Sequence, residues 1–486
     1  VRAWGRLMDP RLLHYYTNEL QHLREMAAEF AREYPKIAAR LDIKQFEVQD
    51  PYVERLLEGF SYLAARVQLR LDAEFPQFTQ HLLEMVYPHY LAPTPSMAVV
   101  RFEPKLAEGA LARGVTVERG SILRTQAGKG ETTRCDYRTA HDVSLWPIEL
   151  TEIEYITSAM DVPGIHGIKA SLRLRLKATA GLRFNAIDLD RLPIYLHAPE
   201  GLGWVLYEQL VGNSLGTVVQ PVGPSPEWRE VGGPDSVGRY GFDDDQALLP
   251  AGPRSFSGHR LIHEYFAFPE RFAFVELRDL ARGLRRCPDD EVDVFVLLDR
   301  NVTRLEHALA PHHLHLYCTP IINLFPKRTD RVAIREQDTE SHVVADRTRP
   351  MDFEIHQVLS VVGYGTSETE KQLFRPFYGS KDVSRHSEPQ AFFTVQRRPR
   401  MLSSKQRLKG TRTSYVGHEA YVSLVDAHEA PYRADLRELE IEALCTNRDL
   451  PVTLSFGGGR TDFGLVAGAP VKAVRVVAGP TAPVQS

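Results

Sequence analysis

Three histidines and a cysteine fall within eight positions of PHHLHLYCTP, residues 311–320. Because Zn²⁺ binds imidazole and thiolate ligands, this spacing is a candidate metal site. His313 and His315 share one face of a strand, but Cys318 falls on the other, and no H-x-x-x-H or C-x-x-C motif nearby supplies a further ligand. We therefore favour a partly exposed strand, in which Leu314, Leu316 and Cys318 point to the core and His313, His315 and Tyr317 point away from it.

A basic run lies between Arg397 and Arg412, where RRPRMLSSKQRLKGTR carries seven arginines and lysines and no acid. Such a run could contact nucleic acid or an acidic protein surface. It lacks the interleaved aromatic residues that stack on single-stranded nucleic acid. Because it separates two β-type runs, AFFTVQ and YVSLVDA, we expect an exposed hairpin loop, in which Arg397, Arg398 and Arg400 are candidate contacts to a protein partner.

Two other stretches have compositions that bind ions in other proteins. LSFGGGR, residues 454–460, lacks the lysine and the following helix of a phosphate-binding loop, so we interpret it as a turn. GFDDD, residues 241–245, lacks the spacing of a calcium-binding loop, so we interpret it as a loop of solvated carboxylates. The H-E-x-x-H and S-x-x-K motifs of hydrolases are also missing. We therefore predict no catalytic residue, no cofactor and no metal, and expect that the protein is not an enzyme.

The composition is that of a soluble, intracellular protein of several domains. Its 486 residues are 43% hydrophobic and 25% charged, enough for two to four domains. A net charge of −4 argues against a dedicated nucleic-acid binder. No apolar stretch approaches the roughly 18 residues that span a bilayer, so we expect no membrane insertion. Four cysteines without paired spacing indicate reduced thiols in the cytoplasm: Cys135, Cys287, Cys318 and Cys445.

The first ninety residues show the periodicity of amphipathic helices. Asp9–Pro10 and Asp50–Pro51 each place an N-cap residue before a proline at the first helical position. A third, shorter helix is expected from Pro76 to Tyr87. The apolar stripes are Leu13, Tyr16, Leu20, Leu23, Ala27, Phe30 and Tyr34 in the first helix and Val53, Leu56, Leu57, Phe60, Leu63, Ala64 and Val67 in the second.

After a proline-rich break, PHYLAPTPS, the period changes to two, which is typical of strands. In SLRLRLKA, leucines alternate with basic residues, so one face is buried and the other solvated, as in antiparallel sheets. Further β-type runs are MAVVRFEP, LPIYLHA, AFVELRDL, EVDVFVLL and HLHLYCTPIINLF. Two stretches, 222–245 and 362–376, read as loops between them.

We therefore predict the fold class α+β, an elongated multi-domain chain in which a helical unit precedes several mainly antiparallel β-rich domains. Residues 1–7 read as an upstream extension or expression remnant, with Met8 as the natural start. The predicted domains are a helical region, 8–92, a β-rich domain with long loops, 93–260, a central β-rich domain, 261–380, and a C-terminal β-rich domain, 381–486.

The chain resembles the TssF (ImpG) family of the type VI secretion system. The resemblance begins with MDPRLLHYYTNELQHLREMAAEFAREYPKIAARL and DPYVERLLEGFSYLAARVQLRLDAEFPQFTQHLLEMVYPHYLAPTPSMAVVRF. It continues in order through YFAFPERFAFVEL, CTPIINLF, RPMDFEIHQVLSV and CTNRDLP, so it covers nearly the whole chain from Met8. Family members continue past the region matching VKAVRVVAGPT, so we expect that this chain is truncated or naturally short at its C-terminus.

The resemblance implies a structural subunit of the baseplate wedge, with no catalysis. The implied partners are TssG, a second copy of TssF, TssK, TssE and the spike hub VgrG, and the implied location is cytoplasmic, in a baseplate docked at the inner-membrane complex. Two alternatives remain open from the residues alone: a β-rich metal-dependent hydrolase using His313 and His315, and a nucleic-acid-associated protein using the 397–412 run.

Aromatic clusters are candidate anchors for protein partners, because interfaces favour buried aromatic side chains. Ordinary core packing is the alternative for each of them. The candidates are Tyr87, His89 and Tyr90 after the helical region and Phe266, Phe268 and Phe272 in YFAFPERF.

Overall fold

The computed structural model contains two compact units, Val1–Leu91 and Ala92–Ser486. It describes residues 10–40, 50–105, 109–126, 133–158, 160–250, 255–335, 338–365, 371–377, 391–401, 412–426 and 436–485. The first unit is helical, and the second is built mainly of antiparallel strands. The predicted fold class, α+β with helices before antiparallel β structure, is confirmed.

The first unit contains the helices α1 (Pro10–Glu33), α2 (Pro35–Arg40) and α3 (Pro51–Val86), followed by a 3₁₀ turn (Pro88–Leu91). Asp50 caps α3, because its carboxylate accepts a hydrogen bond of 2.9 Å from the Tyr52 backbone N–H. The predicted cap at Asp50 is confirmed, whereas Asp9 lies outside the described residues.

Helix α3 continues through the position where we predicted a separate third helix. A break was expected before Pro76, because proline removes one i→i−4 hydrogen bond. The backbone is instead helical over all 36 residues of α3. The predicted division was therefore wrong, because the helical hydrogen bonds on both sides of Pro76 outweigh the single bond that it removes.

Helices α1 and α3 lie antiparallel to each other. The Tyr15 hydroxyl donates to the Asp72 carboxylate, and the Arg24 guanidinium lies 3.5 Å from Glu54, so the chain directions are opposite. Among the described residues of these two helices, four side chains are buried: Leu12, Ala28, Ser61 and Ala65. Burial of so few side chains, three of them small, removes little apolar area from water.

Among the described residues, the second unit has 25 strands. They are β1 Met97–Pro104, β2 Val115–Val117, β3 Ile122–Thr125, β4 Asp136–Thr139, β5 Val143–Leu145, β6 Ile148–Ile156, β7 Ala170–Ala178, β8 Leu192–Leu196, β9 Ser214–Pro221, β10 Glu230–Gly232, β11 Val237–Arg239, β12 Phe274–Leu277, β13 Glu291–Leu298, β14 Leu314–Leu316, β15 Cys318–Ile322, β16 Phe325–Arg328, β17 Val332–Ala333, β18 Ser341–Val343, β19 Glu354–Tyr364, β20 Lys371–Pro376, β21 Ala391–Pro399, β22 His418–Asp426, β23 Glu438–Thr446, β24 Phe463–Leu465 and β25 Val471–Ala478.

These strands form a closed six-stranded barrel and several sheets. The barrel order is β1-β15-β4-β3-β24-β25, and its neighbours are a five-stranded sheet, β10-β9-β13-β7-β6, a four-stranded sheet, β11-β12-β8-β14, and the pair β2-β5. An eight-stranded sheet follows the order β16-β23-β19-β20-β21-β22-β18, with β17 also on β23. In that sheet β20 and β21 are parallel, whereas the other pairings are antiparallel.

Short helices connect the strands: α4 Leu202–Gly212, α5 Ser257–Ala267, α6 Ala281–Leu284 and α7 Leu450–Thr453. Two stretches that we predicted as loops contain strands. Strands β10 and β11 lie within 222–245, and β20 lies within 362–376. The error arose because glycines and short polar runs were taken as loop signals, although pairing with a neighbouring strand overrides such weak local preferences.

The predicted alternation in β7 is confirmed. Leu172, Leu174 and Leu176 are buried in the main core, which spans the barrel and the five-stranded sheet. The basic residues between them form a ladder of ion pairs on the opposite face: Arg173 with Glu154 at 2.9 Å, Arg175 with Glu152 at 2.7 Å and with Asp293 at 2.8 Å, and Lys177 with Glu291 at 2.8 Å. A second core lies within the eight-stranded sheet.

Two of the predicted domain boundaries, 260/261 and 380/381, fall within connected structure. Helix α5 crosses the boundary between 260 and 261, and β20 pairs with β21 across the boundary between 380 and 381. The barrel combines strands from β1 to β25. The division of 93–486 into three domains stays a prediction.

Candidate interaction surfaces

Helix α3 exposes a continuous apolar stripe on the side away from the small residues that it buries. Leu56, Phe60, Leu63, Val67 and Leu71 follow one another at spacings of four, three, four and four residues. At 100° per residue these positions lie within one narrow face of the helix. Each side chain is between 55% and 73% exposed, although five such residues on a folded helix normally face a core.

The predicted cluster after α3 divides into buried and exposed members. Tyr87 and His89 are buried, and their rings meet edge to face at 6.2 Å. The Tyr87 backbone N–H donates to the Leu83 carbonyl and ends α3. Tyr90 is 60% exposed, so it is the member that remains accessible. A partner contact through these three residues stays a prediction.

The aromatic residues at the end of α5 divide in the same way. Phe268 and Phe272 are buried, whereas Phe266 is 81% exposed. On α5 the exposed large apolar residues are Ile262, Tyr265 and Phe266, and Phe256 precedes the helix with 71% of its surface exposed. A second exposed apolar surface therefore lies on the β-rich unit.

The face of α5 that points inward is charged. The Glu264 carboxylate is fully buried and accepts backbone N–H bonds from Leu248, at 3.2 Å, and Leu249, at 2.9 Å. It also forms ion pairs with Arg271 and, at 3.3 Å, with Arg260. These contacts fasten α5 to the segment 241–250.

Two arginines share this buried carboxylate, and each has a second anchor. Arg260 reaches Asp244 at 2.7 Å. Arg271 donates to the carbonyl of Gly241 and, at 3.0 Å, to that of Gln246. Burial, with the neighbouring guanidinium of Arg260, lowers the pKa of Arg271 to about 9. The guanidinium remains charged at neutral pH, and these hydrogen bonds compensate for its loss of water.

The three arginines of the predicted basic loop have intramolecular partners. Arg397 donates to the carbonyls of Ile355 and His356. Arg398 forms a bidentate pair with Glu340, at 2.6 and 2.7 Å, and lies over the Tyr421 ring. Arg397 and Arg398 belong to β21 and not to a loop.

Arg400 follows β21 and is mostly buried. It donates to the Pro350 carbonyl at 2.7 Å and lies 3.4 Å from Glu419. Burial lowers its pKa. The middle of the basic run, 402–411, lies outside the described residues, and a partner contact through these arginines stays a prediction.

The histidine stretch differs from the predicted single strand. His313 ends a 3₁₀ turn, and its Nδ1 accepts a hydrogen bond of 3.1 Å from the Ala310 backbone N–H. Tyr317 has a φ of +62° and separates β14 from β15. Its side chain is buried and its hydroxyl donates to the Trp146 and Ile148 carbonyls. The predicted outward position of Tyr317 was wrong, because the left-handed turn breaks the alternation and the two carbonyls satisfy the buried hydroxyl.

His315 is half-buried near His197, with ring centroids 6.2 Å apart. Burial, with Arg101 and the neighbouring histidines, lowers the pKa of His315 to about 4. Among the described residues, no group of three or more His, Cys, Asp or Glu side chains has the geometry to hold a metal ion. The four cysteines are free and buried.

Sequence reasoning missed the orientation of α5 and of the α3 stripe. Charged residues at 260 and 264 and apolar residues at 262 and 266 have the same spacing of four. Periodicity therefore indicates two faces on the helix but not which one is buried. None of the helices that the structure describes has the length and apolar character needed to cross a membrane.

The profile of the type VI secretion system TssF family matches residues 8–486. The type VI secretion system component TssF1 of Pseudomonas aeruginosa PAO1 is 52% identical over 481 residues, covering 98% of this chain and 77% of the relative.

Two solved structures share the fold at 25% identity. One is a chain of the TssK–TssF–TssG baseplate subcomplex, with a TM-score of 0.66 over 89% of this chain and 75% of that one. The other is a chain of the type VI secretion system baseplate complex, with a TM-score of 0.52 over 98% of this chain and 77% of that one. The chain belongs to the TssF family of type VI secretion system baseplate components.

Proposed function

We propose that this chain is a structural subunit of the baseplate wedge and acts by assembly, not by catalysis. In this proposal two copies associate with one TssG, and the wedge docks TssK, TssE and the VgrG spike hub. The assembly lies in the cytoplasm, at a baseplate docked to the inner-membrane complex. The similarity to a chain solved together with TssK and TssG supports the partners TssK and TssG.

The exposed stripe of α3 carries the proposal. Few described side chains of α1 and α3 are buried, namely Leu12, Ala28, Ser61 and Ala65, so the pair has little core of its own. Burying a large apolar side chain contributes roughly 1.5–3 kcal/mol. A helical partner on Leu56, Phe60, Leu63, Val67 and Leu71 therefore supplies apolar burial that the helical unit lacks.

The spacing of the stripe identifies the kind of partner. Apolar residues three and four positions apart form the seam along which helices pack side by side. Two copies of this chain present two such stripes, and a helix of TssG that packs between them covers both. We infer that the two α3 helices and TssG form one helical bundle.

Molar mass measured by light scattering after size exclusion tests this proposal. The chain is co-expressed with TssG of the same gene cluster, and a mass of two copies plus one TssG is expected. Introducing charge into the stripe with Leu63→Glu and Val67→Glu should separate the subunits, whereas Gln68→Glu, at an exposed position of α3 outside the stripe, should not. A complex of unchanged mass with the Leu63→Glu/Val67→Glu chain contradicts the proposed role of α3.

A further inference from the structure

Helix α5 is amphipathic, but its charged face is buried and its apolar face is exposed. Its charged residues Arg260 and Glu264 are 3% and 0% exposed, whereas Ile262, Tyr265 and Phe266 are 59%, 53% and 81% exposed. A charged pair held in a protein interior stabilises no more than well-packed apolar residues of similar volume. Folding of the β-rich unit alone therefore does not account for the apolar face that α5 presents to solvent.

From the exposed rings of Phe266 and Tyr265, a row of aromatic contacts leads to the buried Phe272 and to Phe242. Phe266 meets Tyr265 at a centroid distance of 5.6 Å, Tyr265 meets Phe272 at 6.3 Å, and Phe272 meets Phe242 at 4.9 Å. The interior of the protein holds this row in place. The Arg271 guanidinium lies over the Phe272 ring at 4.4 Å and forms an ion pair with the buried Glu264. Rigid aromatic side chains on an immobile support are typical anchors of a protein interface.

Three exposed carboxylates follow this row directly in the chain: Asp243, Asp244 and Asp245. Asp244 is tied to α5 by its 2.7 Å contact with Arg260, which places the acidic segment beside the helix. Within the part of the chain that the structure describes, Asp243 and Asp245 form no ion pair. An aromatic surface with an uncompensated negative edge favours a partner that combines apolar and basic side chains.

We propose that the exposed face of α5, with Asp243 and Asp245, is a docking surface for a segment of another subunit that carries lysine or arginine beside apolar side chains. This surface belongs to the β-rich unit and is additional to the α3 stripe. The inference rests on the proposed role in the baseplate, because the occupant is a subunit of the same assembly.

Zero-length carbodiimide cross-linking tests this surface, because the reagent joins a carboxylate to a lysine in contact with it. The full chain is co-expressed with TssG, TssK and TssE, and the purified complex is cross-linked and digested for mass spectrometry. We expect Asp243 or Asp245 joined to a lysine of another subunit, next to apolar residues. Asp243→Asn/Asp245→Asn should remove the cross-link and weaken retention of that subunit about threefold to tenfold at low salt.

Substitutions of exposed apolar residues by serine provide the second part of the test. Tyr265→Ser/Phe266→Ser should lower retention of the same subunit at least about tenfold, whereas Val231→Ser, an exposed apolar residue on β10, should leave it unchanged. Circular dichroism of each variant checks that the fold is retained.

The outcomes separate this inference from the proposed function. Failure of any complex to form contradicts both. If the complex forms and Tyr265→Ser/Phe266→Ser leaves its composition unchanged, the docking surface is contradicted but the proposed function is not. Cross-links from Asp243 or Asp245 that lead to a second copy of this chain also overturn it, since the occupant is then not another subunit.

Discussion

The helical unit and the β-rich unit treat their apolar residues in opposite ways. In β7 the leucines face the core and the charged residues form ion pairs outside. In α3 five large apolar residues of one stripe, from Leu56 to Leu71, are exposed, whereas the small residues Ser61 and Ala65 are buried. In β7 the hydrophobic pattern is thus satisfied within the β-rich unit, whereas in α3 five large apolar residues of the pattern stay exposed.

Helix α5 belongs to the β-rich unit, but like α3 it leaves an apolar face exposed. Its charged face is buried and its apolar face is exposed, which is the reverse of the arrangement in β7. An exposed apolar face is best suited to bind a partner where the structure beneath it is fixed. In α5 the buried Glu264 supplies that support through two arginines and two backbone N–H groups.

Removing the charge of Glu264 should have the largest effect on stability. Glu264→Gln leaves Arg271 buried without its carboxylate, so we expect a loss of about 3–5 kcal/mol in the free energy of unfolding. Urea unfolding followed by tryptophan fluorescence measures this, since Trp146, Trp204 and Trp228 lie in the β-rich unit. A loss below about 1 kcal/mol would show that the buried network does not support α5.

Matched leucine truncations test the comparison directly. Leu174→Ala removes a side chain that is 1% exposed and should cost about 2–5 kcal/mol. Leu63→Ala removes one that is 60% exposed and should change the stability of the isolated chain by less than about 0.5 kcal/mol. Urea unfolding monitored by fluorescence and by circular dichroism at 222 nm covers both units. Similar losses for the two variants would mean that the α3 stripe is already buried in the isolated chain.

Acid should destabilise the β-rich unit through His315. Its folded-state pKa of about 4 lies below the unfolded value of 6.5, so the unfolded chain binds the proton more readily as pH falls. Stability is fully present above about pH 6.5 and declines toward pH 4. His315 lies among Arg101, His197, His312 and His313, which oppose its protonation.

The measurement is the unfolding free energy of the wild type and of His315→Gln at pH 7 and pH 5. The wild type should lose about 1 kcal/mol more than the variant, a value reduced by partial access of the imidazole to solvent. Equal losses in the two proteins would place the acid sensitivity elsewhere.

The smallest effect is expected on the solvent face of β7. Glu154 is about half exposed and pairs with Arg173, which also contacts Glu152. Glu154→Gln should therefore change the unfolding free energy by no more than about 0.5 kcal/mol, and added salt should reduce the change further. A loss comparable to that of Glu264→Gln would remove the distinction between buried and exposed ion pairs in this protein.

The sequence by itself determined that helices precede antiparallel strands, and it also determined the cap at Asp50, the two faces of β7 and the family resemblance. These features depend on residues near one another in the chain, where period and capping preferences act. The resemblance covered blocks spread over the whole chain, and comparison with known proteins confirmed it.

Only the tertiary structure decided which face of each helix is exposed, which arginines are paired and where Tyr317 points. The partners involved are far apart in sequence: Glu340 for Arg398, and Trp146 and Ile148 for Tyr317. A helical pattern specifies that two faces differ, but the neighbours brought together by folding determine which of them meets water.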